Sequence, residues 1–237
     1  MFQGYIKNRL ALGIVVLLAS TSVQAVTSSK DSFVEGKDYL RIPTEIRNSP
    51  EVKQLLSKDP SKVQVVFFFS YGCHACEVVH TPFEKWAAEP STVKNKNLTV
   101  YRYPVAFNPQ WRMLAKLYYT MESLDTKGKL NNAIFEGIHK QGVKLWQQDE
   151  MSKFFVRNGY SAKDFNSAFT SFSVNRLTKQ AEDVSTAYKV TETPDLIVNG
   201  PIASYRVSVV AAAGNIPRLF QVLDYLVKRE TKLLDHG

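Results

Sequence analysis

The chain has 237 residues, only two of them cysteines, with 44% hydrophobic residues and a formal charge of +8. That apolar content is enough for a packed core and excludes an intrinsically disordered chain. No run of lysine and arginine exceeds two residues, so the basic balance reads as a solvated surface and no nucleic-acid partner is expected.

Residues 1–25 have the pattern of an export signal. Lys7 and Arg9 precede the apolar run Leu10–Ala19, and Val23-Gln24-Ala25 supplies small residues at cleavage spacing. The run is short for a bilayer span, although an uncleaved anchor is the competing reading. No cysteine follows it, which excludes a lipid-modified terminus, and no later segment is apolar enough to span a membrane. An exported chain meets oxidising conditions. There Cys73 and Cys76, two residues apart, could form a disulfide, but closing so short a loop removes little entropy from the unfolded chain. The pair is better suited to reactivity than to stability.

Residues 26–45 read as an extended, polar lead-in. Pro50 at a first-turn position opens a short helix through Ser57, which Asp59-Pro60 breaks. Val63–Phe69 is a nearly continuous β-branched and aromatic run, the pattern of a strand covered on both faces. Ser70-Tyr71-Gly72 turns the chain, and a helix is expected from Cys73 through Trp86, kinked at Pro82. Leu98–Tyr103 is a second strand ended by Pro104. From Asn108 to about Val184 the pattern is helical, with breaks at Gly128, Gly142 and Asn158-Gly159, and Ser161 with Asp164 forms a capping pattern. Phe107, Trp111, Tyr118 and Tyr119 fall at helical spacing and are expected in a helical core, the alternative for some of them being a hydrophobic groove beside the cysteines that accepts unfolded chains. Leu196–Val198 is a short buried strand, Asn199-Gly200 a hairpin turn, and Ile202–Val207 its partner, with Pro201 marking an edge. Pro217–Leu234 is an amphipathic helix. A βαβ start and a ββα finish parted by a long helical stretch predict one α/β domain with a helical insertion.

A dithiol exchanges disulfides when one thiol ionises readily and a second stands ready to resolve the mixed disulfide. A helix beginning at Cys73 meets the first need, because its unpaired N–H groups and partial positive charge favour thiolate. Cys76, one turn on and deeper, is then the resolving sulfur. A metal centre of His74, His80 and the cysteines lacks a second pair of correctly spaced ligands, so neither metal nor cofactor is expected. His139 and His236 form no visible constellation.

Phe67-Phe-Phe-Ser-Tyr-Gly-Cys-His-Ala-Cys76 resembles the active-site stretch of the DsbA-type thiol oxidases. Phe33–Tyr39 resembles that family's lead-in and Ile134-Phe-Glu-Gly-Ile138 a segment of its helical insertion. Val190-Thr-Glu-Thr-Pro-Asp-Leu-Ile-Val-Asn-Gly200 is similar to the stretch around its cis-proline. The resemblance implies a thioredoxin-like fold with an inserted all-helical domain. Residues 1–25 would be the signal peptide, 26–106 and 186–237 the two parts of the thioredoxin-like domain, and 107–185 the insertion. It implies a periplasmic oxidoreductase that introduces disulfides into unfolded exported proteins with free cysteines, reoxidised by a DsbB-type membrane oxidase. By the same resemblance Pro194 is cis and faces the cysteines, and Thr193 offers its backbone to substrate.

Two departures bear on the redox site. His74-Ala75 replaces the family's common Pro-His, which leaves His74 and Ala75 as the redox-tuning dipeptide without a histidine beside Cys76. Phe67 stands where the family often has a buried acid. Glu77 and Asp195 read as ordinary solvated acids, with any replacement role for either left open. The alternative activity is that of an isomerase or reductase kept reduced in the same compartment, although few residues precede the first strand to hold a dimerisation domain. A binding protein with incidental cysteines is the reading from another class.

Overall fold

The computed structural model describes Met1 and residues 33–124, 128–209 and 215–235, Asp235 by its backbone alone. The export-signal reading of residues 1–25, the start of the lead-in and His236 lie outside the described residues. In chain order the elements are β1 (Tyr39–Arg41), α1 (Thr44–Arg47), α2 (Pro50–Leu56), β2 (Val63–Phe69), α3 (His74–Ala88), α4 (Pro90–Val93) and β3 (Leu98–Pro104). The helices α5 (Pro109–Leu124), α6 (Asn131–His139), α7 (Gln148–Arg157), α8 (Ala162–Thr170) and α9 (Phe172–Ala187) follow. The chain closes with β4 (Asp195–Asn199), β5 (Ser204–Val207) and α10 (Ile216–Asp235).

The sheet order is β1-β5-β4-β2-β3, with β2 parallel to β3 and the remaining pairs antiparallel. Every residue of β2 is buried, as its unbroken apolar pattern requires of a central strand. Its side chains alternate between two helical layers. Phe67 packs at 4.4 Å on Phe83 of α3, while Phe68 meets Tyr188 at the end of α9. Trp86 ties α3 to α10, donating from Nε1 to Asp224 at 2.7 Å and stacking on Phe220. At the end of β2, Phe69 is covered by Tyr118 of α5 and Phe135 of α6, so the helices between β3 and β4 close over the strand's C-terminal end. No helix among the described residues is long and apolar enough to cross a membrane.

Three local expectations are corrected. β5 is not an edge, because Tyr39–Arg41 of the lead-in pairs with Tyr205–Val207. Pro201 lies outside the strands and so interrupts no ladder. The β4–β5 connection is the loop Gly200–Ala203, closed by the Gly200 N–H donating to the Ala203 carbonyl at 2.8 Å, and Asn199 pairs directly with Ser204. The two-residue Asn-Gly turn is therefore not formed, and Ile202 is exposed in the loop rather than in the strand. The helical stretch also has a break the sequence pattern misses. Ser171 ends α8 in an extended conformation and caps α9, accepting from the Val174 N–H at 3.2 Å. Ser161 caps α8 as expected, accepting from the Asp164 N–H at 2.9 Å. Pro82 lies within α3, which is helical from His74 to Ala88.

Phe67 is fully enclosed between Phe69 and Phe83. Phe67→Ala should lower the stability of the fold by about 3–5 kcal/mol, the usual cost of emptying an aromatic core site, read as a shift of the urea midpoint at unchanged slope.

Candidate active site

The turn after β2 is wound by Ser70, whose carbonyl accepts from the Cys73 N–H at 3.1 Å and whose Oγ accepts from the Gly72 N–H at 3.2 Å. Gly72 has no side chain for a steric reason: a Cβ there would lie 2.6 Å from Nε1 of Trp111. Trp111 covers this side of the turn and stacks on the exposed Phe107 at 5.4 Å. Of the four aromatics expected in the helical core, Tyr118 and Tyr119 are buried, Trp111 is partly buried against the core, and Phe107 is exposed.

Cys73 is the N-cap of α3. Its backbone is extended, and its sulfur accepts from the Cys76 N–H at 3.2 Å, satisfying one of the helix's unpaired donors. Both cysteines are free. Cys73 keeps 9% of its surface exposed, while Cys76 has none. The Cys76 thiol hydrogen-bonded to the Cys73 sulfur pulls the pKa of Cys73 down to about 6, helped by Thr193 and then by the N–H groups of Cys76 and Ala75, and opposed by burial. Burial, together with the adjacent Cys73 sulfur, drives Cys76 far upward, so it stays a thiol. One sulfur ionises near neutrality and its neighbour does not.

Thr193 and Pro194 reach the same place from the far side of the chain. The Thr193–Pro194 peptide bond is cis, and the Thr193 carbonyl oxygen lies 3.3 Å from Cys73 Sγ. His74, by contrast, is turned away from the sulfur. Its side chain is 78% exposed, with Nδ1 3.2 Å from the Glu77 carboxylate and its ring 5.5 Å from that of His139. Ala75 contributes only its backbone N–H. His80 is buried against Phe135, where desolvation lowers its pKa. It is thus part of the core and lies outside the grouping of His74, Glu77 and His139.

The two acids also differ from their sequence reading. Asp195 is buried, not solvated. It pairs with Phe68 across the sheet and shares the face of Tyr188, so it lies opposite α3 and Cys76. Burial raises its pKa to about 6, partly offset by Arg206 at 3.0 Å. Glu77 is largely covered and is held between His74 and Lys140. His139, for which the sequence shows no companion, lies beside His74 with Nε2 2.8 Å from the Tyr71 carbonyl. Nothing local in the sequence signals this, because α3 and α6 meet only through the tertiary fold.

No family model matches the chain. Among characterised proteins it is similar to the thiol:disulfide interchange protein DsbA of Azotobacter vinelandii, 30% identical over 228 residues that cover 94% of this chain and 98% of that protein. The DsbA of Burkholderia cepacia is 32% identical over 220 residues, 93% of each chain. The chain belongs to the DsbA family. The crystal structure of Pseudomonas aeruginosa DsbA superposes with a TM-score of 0.72 at 27% identity, covering 87% of this chain and 98% of that one. The fold is accordingly thioredoxin-like with a helical insertion, and the protein is a thiol–disulfide oxidoreductase.

The depressed pKa of Cys73 has a definite pH consequence. It lies below the value of about 8.5 in an unfolded chain, so its contribution to the reduced fold is complete above that value and is lost as the pH falls through about 6. Reduced protein should therefore gain stability over Cys73→Ala between about pH 5 and about pH 8, seen in urea midpoints. Because the Cys76 thiol is the largest cause of the shift, Cys76→Ala should raise the Cys73 pKa toward about 8.5, measured by thiolate absorbance or the pH dependence of alkylation.

Proposed function

We propose that Cys73 and Cys76 are the catalytic pair of a periplasmic oxidase of exported proteins. A substrate thiolate attacks Cys73 Sγ of the oxidised enzyme. The Cys73–Cys76 bond breaks, Cys76 leaves with the electron pair and takes up a proton, and a mixed disulfide joins the substrate to Cys73. A second substrate thiolate then attacks the substrate sulfur of that bond and expels Cys73 as thiolate. Two electrons pass to the enzyme and one disulfide forms in the client.

The observation that carries this reading is the position of Cys73 Sγ, at the N-terminus of α3 with the Cys76 N–H at 3.2 Å. A thiolate stabilised there is a good leaving group in the second step, and its stability in the reduced enzyme makes the disulfide oxidising. Thr193, with its carbonyl 3.3 Å from the sulfur, is suited to align an extended client chain by its backbone. His74 and Ala75 are the dipeptide between the sulfurs, and any influence of His74 on the potential acts without a direct hydrogen bond to Cys73. Clients are unfolded exported proteins with free cysteines, and a DsbB-type membrane oxidase removes the electrons. In this reading residues 1–25 direct export, and residues 107–185 form the insertion between two parts of the catalytic domain, 26–106 and 186–237.

The test combines net oxidation of a reduced dithiol peptide with unscrambling of a mispaired protein. Stoichiometric oxidation of the peptide by the oxidised enzyme is expected, with loss of activity in Cys73→Ser. With the mispaired protein, whose own disulfides are attacked by the Cys73 thiolate and lose one sulfur as thiolate, Cys76→Ser should accumulate a mixed disulfide through Cys73, visible as a reducible adduct by mass spectrometry. Efficient unscrambling with poor net oxidation would assign the protein to isomerisation, and full activity of Cys73→Ser would remove the dithiol mechanism.

A further inference from the structure

We propose that His74, Glu77 and His139 form a binding site for a divalent cation of the zinc class at the mouth of the redox site. His74 and Glu77 lie one turn apart on α3, with Nδ1 3.2 Å from Oε2, and His139 comes from the end of α6. One ligating atom from each residue lies within 4.8 Å of the other two. Zinc bonded at about 2.0–2.1 Å in a tetrahedron holds its donors about 3.3 Å apart. The His74–Glu77 pair already has this separation. The remaining separations, at most 4.8 Å, must close to that distance, and the His74 ring is exposed.

The chemistry of the donors selects the ion. Two imidazoles and one carboxylate suit zinc and its borderline neighbours, whereas magnesium and calcium prefer oxygen alone. Nε2 of His139 lies 2.8 Å from the Tyr71 carbonyl. Donation there fixes the ring and its tautomer and leaves Nδ1 with its lone pair, the arrangement that supports ligating histidines. The ammonium of Lys140, 3.8 Å from Glu77 and 3.2 Å from Glu136, is the resident cation the ion must displace. Lys140 is exposed and retains Glu136 as a partner when it yields Glu77. Three protein ligands leave a coordination position for water.

The site is tested on the oxidised protein, in which the Cys73–Cys76 disulfide removes both thiols as zinc ligands and separates the result from the oxidase reading. Titration with zinc chloride by calorimetry should give one ion per chain. His74→Ala, Glu77→Gln and His139→Ala should each weaken binding by at least about tenfold. His74 is exposed, so its variant tests the site even if His139→Ala, which loses the Tyr71 contact, fails to fold. Absence of saturable binding, or retention of affinity within that factor by any variant that folds, overturns the proposal.

Discussion

The whole site depends on a sulfur acting as a helix cap. An N-cap side chain must accept a hydrogen bond from the first turn, a task usually done by serine, threonine, aspartate or asparagine. Cys73 does it with Sγ, which receives the Cys76 N–H at 3.2 Å. A neutral thiol accepts weakly and a thiolate accepts well, so the need of the helix for a cap and the preference of its dipole for negative charge act in the same direction. The buried strand β2, the Ser70 turn and the bare Gly72 serve to deliver this residue to that position.

The two sulfurs share one helical turn and yet move in opposite directions, and the difference is exposure. Cys73 is largely buried but keeps 9% of its surface exposed, and its hydrogen bonds with Cys76, Thr193 and the backbone exceed the cost of desolvation. Cys76 is wholly enclosed, so desolvation dominates and the sulfur remains a donor to its neighbour. Each state supports the other: a protonated Cys76 stabilises the Cys73 thiolate, and that thiolate discourages ionisation of Cys76. Behind Cys76 the layer is aromatic. Phe67 packs on Phe83 where the family resemblance would place an acid, and Asp195 lies on the opposite face of the sheet. This side of the pocket therefore opposes charge on Cys76 rather than accommodating it.

Much of this was legible from the chain itself. The apolar run of β2 and the spacing of Cys73 and Cys76 are local patterns that the fold retains. The register of the hairpin was not legible, because Asn199-Gly200 carries a strong turn signal that the tertiary fold overrides. Arg47 donates to the Gly200 and Pro201 carbonyls at 2.9 and 3.0 Å and so anchors the longer loop. The lead-in strand was missed because β1 has only three residues and two of them are exposed, too few for a period to show. His139 was invisible for a different reason. Its partners, His74 and the Tyr71 carbonyl, lie on elements joined to it only by packing.

The dipeptide between the cysteines adds little side-chain chemistry to the sulfur. Ala75 carries no polar side-chain group, and His74 faces Glu77 and His139. The Cys73 pKa is nevertheless pulled to about 6, by the Cys76 thiol, by Thr193 and by the backbone N–H groups of the first turn. None of these is a side chain of the two intervening positions, so they persist whatever occupies those positions, provided the helix begins at Cys73 and Thr193 stays beside it. In this chain the His74 side chain is exposed, where α6 supplies His139 as its neighbour.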